Sequence, residues 1–176
     1  MKNISLIDED FMDFPIGEFP YDKNHSAMGE YHFIHYPGFY GRWYDPVCNY
    51  RYNGQGASWC IMEYNGRHYM EQMRLHNTEP HRTFPTLETG DRFWRDYDIE
   101  AGLRMFNTKW GSAGIGFCAQ NSLNLLACIF EDKKLKLVYR HKEDVEEIKS
   151  VDFDYNCDDT YNIKVSVKGS HVICSV

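Results

Sequence analysis

The second half of the chain alternates apolar and polar residues, and this pattern constrains the fold more than any other feature. Between Tyr97 and Met105 every second residue is apolar, and the residues between them are Asp, Glu, Gly and Arg. Residues 161–168 repeat the pattern without an error. A period of two is typical of a β-strand with one face buried and one face in water. The sequence therefore predicts strands at both ends of this half.

Four further segments between these two strands are rich in β-branched and aromatic residues. They are bounded by turn residues, and no helical pattern separates them. Short strands at such close spacing are typical of an all-β fold of two antiparallel sheets. The predicted strands are residues 113–120, 123–131, 134–140 and 147–153.

The first half of the chain is less regular. We expect a short opening strand over residues 5–11. Residues 59–64 and 67–74 flank Asn65-Gly66, which favours a type I′ hairpin turn. Long aromatic-rich loops are expected at residues 12–58 and 77–91. A chain of 176 residues suits one domain with a substantial core, so we predict a single domain over residues 1–176.

Charge and composition exclude several classes of partner. The net charge of −7 and the lack of a basic cluster argue against a nucleic-acid partner. No apolar run is long enough to span a bilayer, so no membrane partner is expected. The first ten residues carry no signal-peptide pattern, and the six cysteines show no CxxC spacing. We therefore expect a cytoplasmic protein with buried free thiols.

Several strings in the second half resemble the concanavalin A-like lectin/glucanase superfamily. They are similar to its laminin-G, exo-inulinase-accessory and DUF1080-like modules over about residues 93–176. The segments that carry the resemblance are residues 93–104, 114–117, 124–131, 134–139 and 161–169.

The resemblance implies a jelly-roll sandwich that binds an oligo- or polysaccharide, alone or as an accessory to polysaccharide degradation. Modules of this kind continue with further strands after the position of Val176, so either the domain is truncated and lacks its last strands, or another chain or domain supplies them. An open sheet edge invites a partner, which implies either a homodimer or a partner chain that completes the sheet. An assembly domain is therefore one alternative function, and a glycoside hydrolase or polysaccharide lyase is another.

Candidate ligand-binding residues fall in the irregular first half and in one later loop. Aromatic rings can pack on the CH-rich face of a pyranose, and an Arg fork can bind a uronate carboxylate. The candidates are Trp43, Tyr44, Glu71, Arg74, His76, Arg82 and Trp110.

Catalytic candidates are fewer. Asp98 and Glu100 are two residues apart on one strand, roughly 6.6 Å, within the spacing of glycosidase carboxylates. The other reading is a solvated outer face. Glu71 and His76 could serve a lyase, with His76 as the base. Asp8, Glu9 and Asp10 could supply oxygen ligands for a structural calcium ion. The sequence predicts no other cofactor.

Overall fold

The computed structural model describes nine stretches of the chain. The chain divides into two compact units, Met1–Arg92 and Phe93–Val176, and each is described by itself. The single domain over residues 1–176 stays a prediction. The described residues are 4–18, 26–27, 43–44, 59–72, 86–91, 93–106, 111–121, 123–142 and 144–176.

The N-terminal unit contains two small sheets. Strands β1, β4 and β5 form an antiparallel sheet in the order β1-β4-β5, and β2 pairs with β3 in parallel. Phe14 and Ile61 are buried at its core, and Phe11, Trp43, Trp59, Met70 and Leu87 pack against them. The strands are β1 Gly17–Glu18, β2 Ser26–Ala27, β3 Trp43–Tyr44, β4 Trp59–Tyr64 and β5 Arg67–Gln72.

The predicted hairpin is confirmed as β4 and β5. Asn65 and Gly66 both have positive φ, 53° and 73°, as a type I′ turn requires. The opening strand predicted over residues 5–11 is wrong, because no residue from 4 to 16 is in a strand. Carboxylates bond the nearby backbone instead: Phe11 N donates to Glu9 Oε1 and Met12 N to Asp10 Oδ1. Such local bonds compete with strand pairing.

The C-terminal unit contains seven antiparallel strands in two sheets. The strands β7 to β10 form a meander, and β11 lies between β12 and β6 in a three-stranded sheet. The chain therefore changes sheet between β6 and β7 and again between β10 and β11. The strands are β6 Asp98–Arg104, β7 Ala113–Asn121, β8 Asn124–Glu131, β9 Lys134–His141, β10 Asp144–Asp152, β11 Thr160–Lys168 and β12 His171–Ser175.

Both sheets of this unit contribute to one hydrophobic core. Phe130 on β8 is fully buried and packs against three aromatic rings with centroids 5.2–5.5 Å away. From β11, Ile163, Val165 and Val167 face the same core, as the alternating pattern predicts. The described residues form no helix, so the all-β, largely antiparallel fold is confirmed. The parallel pair of β2 and β3 is a departure that the sequence did not predict.

Strand β8 is buried on both faces, unlike the strands of the three-stranded sheet. Cys128 and Phe130 point into the core, while Leu125, Ala127 and Ile129 on the opposite face are also buried. A nearly continuous apolar run is typical of a strand without a solvent face. On β9, Lys136 and Arg140 are buried too, and Arg140 Nε donates to Lys142 O at 3.1 Å.

Candidate functional site

The predicted ligand-binding residues are described unevenly by the structure. Trp43 lies half-buried on β3, and Glu71 lies half-buried on β5. Tyr44 follows Trp43 on β3, with its side chain outside the described part. Arg74, His76, Arg82 and Trp110 lie outside the described residues.

The Trp43 indole is fixed by two neighbours from the irregular segment before β1. Its Nε1 donates to Glu9 Oε2 at 3.0 Å, and its ring lies 5.5 Å from the Phe11 ring at an angle of 47°. The second oxygen of Glu9 accepts from Phe11 N at 2.8 Å. One carboxylate thus positions both the indole and the backbone of the residue that the indole packs against.

Phe11 is itself held in an uncommon conformation. Its φ is +59°, in the left-handed region that a bulky residue rarely adopts. Its carbonyl oxygen accepts from Phe14 N at 3.1 Å and from His68 Nδ1 at 3.1 Å. His68 N in turn donates to Met12 Sδ at 3.4 Å. These contacts attach the segment to β5. The Phe11 ring on which the Trp43 indole packs is therefore held in place.

Two of the three acidic residues near the N-terminus, Glu9 and Asp10, already accept hydrogen bonds. Glu9 accepts through both oxygens, and Asp10 Oδ1 accepts from Met12 N at 3.0 Å. Within the described ranges, no group of three or more His, Cys, Asp or Glu side chains is arranged to hold a metal ion. Calcium at Asp8, Glu9 and Asp10 stays a prediction.

Glu71 lies on the face of β5 away from the small core. It pairs with Cys60 on β4, whereas its neighbour Met70 pairs with the buried Ile61. Glu71 therefore projects from the face opposite to Gln72, as the alternation predicts.

The two carboxylates of β6 lie on the outer face of the three-stranded sheet. Asp98 accepts from Ser166 Oγ at 2.5 Å and lies 3.9 Å from Lys168 Nζ. Glu100 lies 3.9 Å from Lys164 Nζ. The hydrogen bond from Ser166 holds the pKa of Asp98 below its ordinary value. A general acid in glycoside hydrolysis needs a raised pKa, so Asp98 suits an ion pair or a base.

Protein-family models, curated proteins and solved structures gave no match. The resemblance to the concanavalin A-like superfamily therefore stays a prediction from the residues quoted above. In the part of the chain that the structure describes, no helix is long and apolar enough to cross a membrane.

Sequence reasoning missed an ion-pair cluster of one lysine and three carboxylates at β8, β9 and β10. Lys136 Nζ lies 2.8 Å from Glu131 Oε2, 3.1 Å from Asp132 Oδ2 and 3.7 Å from Glu147 Oε2. The hydrogen bond to Glu131 is the largest cause that raises the pKa of Lys136. The one sequence signal for this cluster is the alternation of β9, which places Lys136 on the same face as the buried Val138.

A tyrosine–cysteine contact was also missed. Cys118 has a φ of +51° in an irregular part of β7, and its N donates to Tyr97 Oη at 3.0 Å. Burial raises the pKa of Tyr97 to about 12, so the phenol stays protonated at neutral pH. The Cys118 side chain is exposed, whereas the sequence predicted buried thiols. A bulge leaves no clear signal in the alternation, which explains the error.

Proposed function

We propose that this protein is a carbohydrate-binding module on a concanavalin A-like jelly-roll sandwich, with Trp43 in its ligand platform. It would act alone or as an accessory to polysaccharide degradation in the cytoplasm. Two observations support the sandwich part of the proposal. The C-terminal unit places two antiparallel sheets on one core, and the string 161–169 that carries the resemblance coincides with β11 and its Gly169 turn, where φ is +57°.

The observation that carries the binding proposal is the partly exposed, doubly anchored indole of Trp43. Rigid aromatic side chains give large contact area at a low cost in conformational entropy. Because Glu9 and Phe11 already hold the ring, little ordering remains when a ligand binds. A pyranose would pack its CH-rich face on the exposed part of this ring. The candidates Tyr44, Glu71, Arg74, His76 and Arg82 of the same unit would supply further contacts, and Trp110 stays a separate candidate of the C-terminal unit.

A glycan array with the purified protein and two Trp43 variants tests the proposal. Trp43→Ala removes the platform, and truncating a central tryptophan costs about 2 kcal/mol or more, which is more than tenfold in affinity. Trp43→Phe keeps an aromatic face and should retain part of the signal.

The matched control is Trp94→Ala, which removes a half-buried tryptophan of the C-terminal unit. Thermal unfolding of each variant separates lost binding from lost structure. Equal binding by the Trp43→Ala and wild-type proteins would contradict the role of Trp43, and no binding to any glycan would contradict the proposed function.

A second candidate function is assembly through β12, and the character of this edge strand favours it. Within the described residues β12 pairs on one side only, with β11. Ile173 is 66% exposed, and the strand has no bulge, proline or lysine. A bulge, a proline or a lysine normally protects an edge strand from pairing with another chain, and β12 has none of them. The edge strand β10, in contrast, carries a register shift between Glu147 and Lys149 and several charges.

The partner that fits this edge is a second copy of the chain. A two-fold antiparallel pairing centred on Ile173 would place Ile173 opposite itself. It would also place Val172 opposite Cys174 and His171 opposite Ser175, with no like charges opposed. The outward residues of both copies would stay on one face, so the two three-stranded sheets would join into one continuous sheet.

The oligomeric state of three proteins tests the assembly candidate. Light scattering with size-exclusion chromatography should find a dimer of the wild-type protein and a monomer of Ile173→Lys. Ile148→Lys places the same change at a 52% exposed position of β10 and should leave the dimer intact. A monomeric wild-type protein, or a dimer that survives Ile173→Lys, would contradict this assembly.

A further inference from the structure

Two cysteines of the C-terminal unit share its hydrophobic core. Cys128 on β8 has none of its surface exposed, and Cys174 on β12 is half-buried and packs against the same hydrophobic cluster. Because β8 and β12 belong to different sheets, their side chains approach each other from opposite sides of the core. All five cysteines in the described part are free thiols.

Cys128 belongs to the buried hydrophobic cluster, and Cys174 packs against that cluster from the facing sheet. A hydrogen bond to Cys174 and burial raise the pKa of the Cys128 thiol, and the same bond lowers the pKa of the Cys174 thiol. Cys174 is therefore both the more acidic and the more accessible member of the pair. A thiolate, not a thiol, is the nucleophile in cysteine oxidation, so Cys174 would react first.

We propose that Cys128 and Cys174 are a covalent modification site, where a peroxide converts the two thiols into an inter-sheet disulfide. Facing sheets lie about 10 Å apart, and a disulfide joins them only where the two side chains meet between them. Cys128 and Cys174 both lie in the hydrophobic cluster that the two facing sheets enclose. An inter-sheet disulfide is also the arrangement that holds antibody domains together.

One molecule of hydrogen peroxide is enough to oxidise both thiols. The Cys174 thiolate attacks a peroxide oxygen, the O–O bond breaks, and the leaving hydroxide takes up a proton to form water. Cys174 is then a sulfenic acid. Cys128 loses its proton as its Sγ attacks Cys174 Sγ, the S–O bond breaks, and a second water leaves. Two thiols are oxidised to one disulfide, and hydrogen peroxide is reduced to two waters.

The bridge would fix β12 to the opposite sheet. A disulfide restricts the unfolded chain more when it closes a long loop, and this bridge encloses the segment between β8 and β12. We expect oxidation to raise the Tm by about 5–10 °C. Reduction with dithiothreitol should return the Tm to its starting value.

The test treats the full chain with hydrogen peroxide, alkylates the remaining thiols and maps the peptides without reduction. The expected result is a Cys128–Cys174 cross-linked peptide, together with the rise in Tm. Cys174→Ala should abolish both. Cys128→Ala serves as the second variant, and it should leave Cys174 oxidised to the sulfenic or sulfinic acid without a cross-link.

Cys118→Ser is the matched control, because it removes an exposed thiol outside the pair. It should keep the cross-link and the Tm shift. The proposal would be overturned if the wild-type peptides contained no Cys128–Cys174 cross-link, or if Cys174→Ala kept the full rise in Tm. None of these outcomes depends on glycan binding, so the result stands apart from the proposed function.

Discussion

Gly114 on β7 lies directly against the backbone of the neighbouring strand β8. A Cβ at this position would be 2.0 Å from Cys128 O and 2.7 Å from Ile129 Cα. Both atoms belong to the backbone of β8, so neither can move without disturbing the sheet. The absence of a side chain at Gly114 thus permits β7 and β8 to pair beside the buried face of β8.

Gly114→Ala is therefore expected to destabilise the protein by about 3 kcal/mol, at the upper end of the usual cost of overpacking. Gly116→Ala is the matched control, because its Cβ would meet Leu125 Cδ1 at 3.2 Å, and a side-chain end can shift. We expect less than about 1 kcal/mol there. Urea unfolding measures both values, and equal costs would contradict the backbone contact.

At the scale of the secondary-structure element, the turn between β8 and β9 and the edge strand β10 meet at Lys136. The Lys136 side chain is only 10% exposed and faces three carboxylates. Removing the cation would leave those carboxylates close together, with Lys134 as the remaining lysine that acts on Glu147. Charged groups at low exposure depend strongly on such a partner, so this ion cluster contributes to the attachment of β10.

Lys136→Met should lower the free energy of unfolding by about 1–2 kcal/mol at pH 7. The loss should shrink as pH falls below about 4, because protonation of the carboxylates removes their mutual repulsion. Ser150 and Lys136 hold the pKa of Glu147 below its ordinary value. The stability from Glu147 is thus present above the unfolded pKa and lost as pH falls through the folded one.

The control for this prediction is Lys164→Met. Lys164 lies 3.9 Å from Glu100, and its side chain is 54% exposed, so solvent screens the pair and we expect less than about 0.5 kcal/mol. Urea unfolding at pH 7 and at pH 3.5 measures both variants. A Lys136→Met loss that is unchanged at low pH would show that the effect is not electrostatic.

Elements with a strong local signal were predictable from the sequence. The apolar positions of β11 fall on one face because a strand has a period of two, and Asn65-Gly66 specifies its own turn. The same pattern gave a wrong strand over residues 5–11, because Glu9 and Asp10 accept hydrogen bonds from backbone N–H groups that a strand would use for pairing. The parallel pairing of β2 and β3 has no local signal at all.

The candidate sites were less predictable, because their contacts join distant residues. Glu9 and Trp43 are 34 positions apart, and alternation on a single strand cannot show which rings a distant carboxylate will reach. The placement of Cys128 and Cys174 in one cluster depends on how two sheets face each other, which no strand pattern specifies. In contrast, Asp98 and Glu100 were correctly placed on one face, since that follows from their spacing.

At the scale of the whole molecule, each compact unit has its own hydrophobic cluster, and their roles in our account differ. The N-terminal unit presents the anchored Trp43 indole near its small core of Phe14 and Ile61. The C-terminal unit supplies two sheets around Phe130 and offers β12 as an edge. We therefore propose ligand binding by the first unit and assembly through the second.

The most direct test of the central proposal is a tryptophan-fluorescence titration with the glycan that gives the strongest array signal. We predict a saturable change for the wild-type protein and for Trp94→Ala, with affinity reduced more than tenfold in Trp43→Ala. Glu9→Gln should weaken binding less, because the amide oxygen can still accept from the indole N–H. A titration in which folded Trp43→Ala binds as tightly as the wild-type protein would contradict the account.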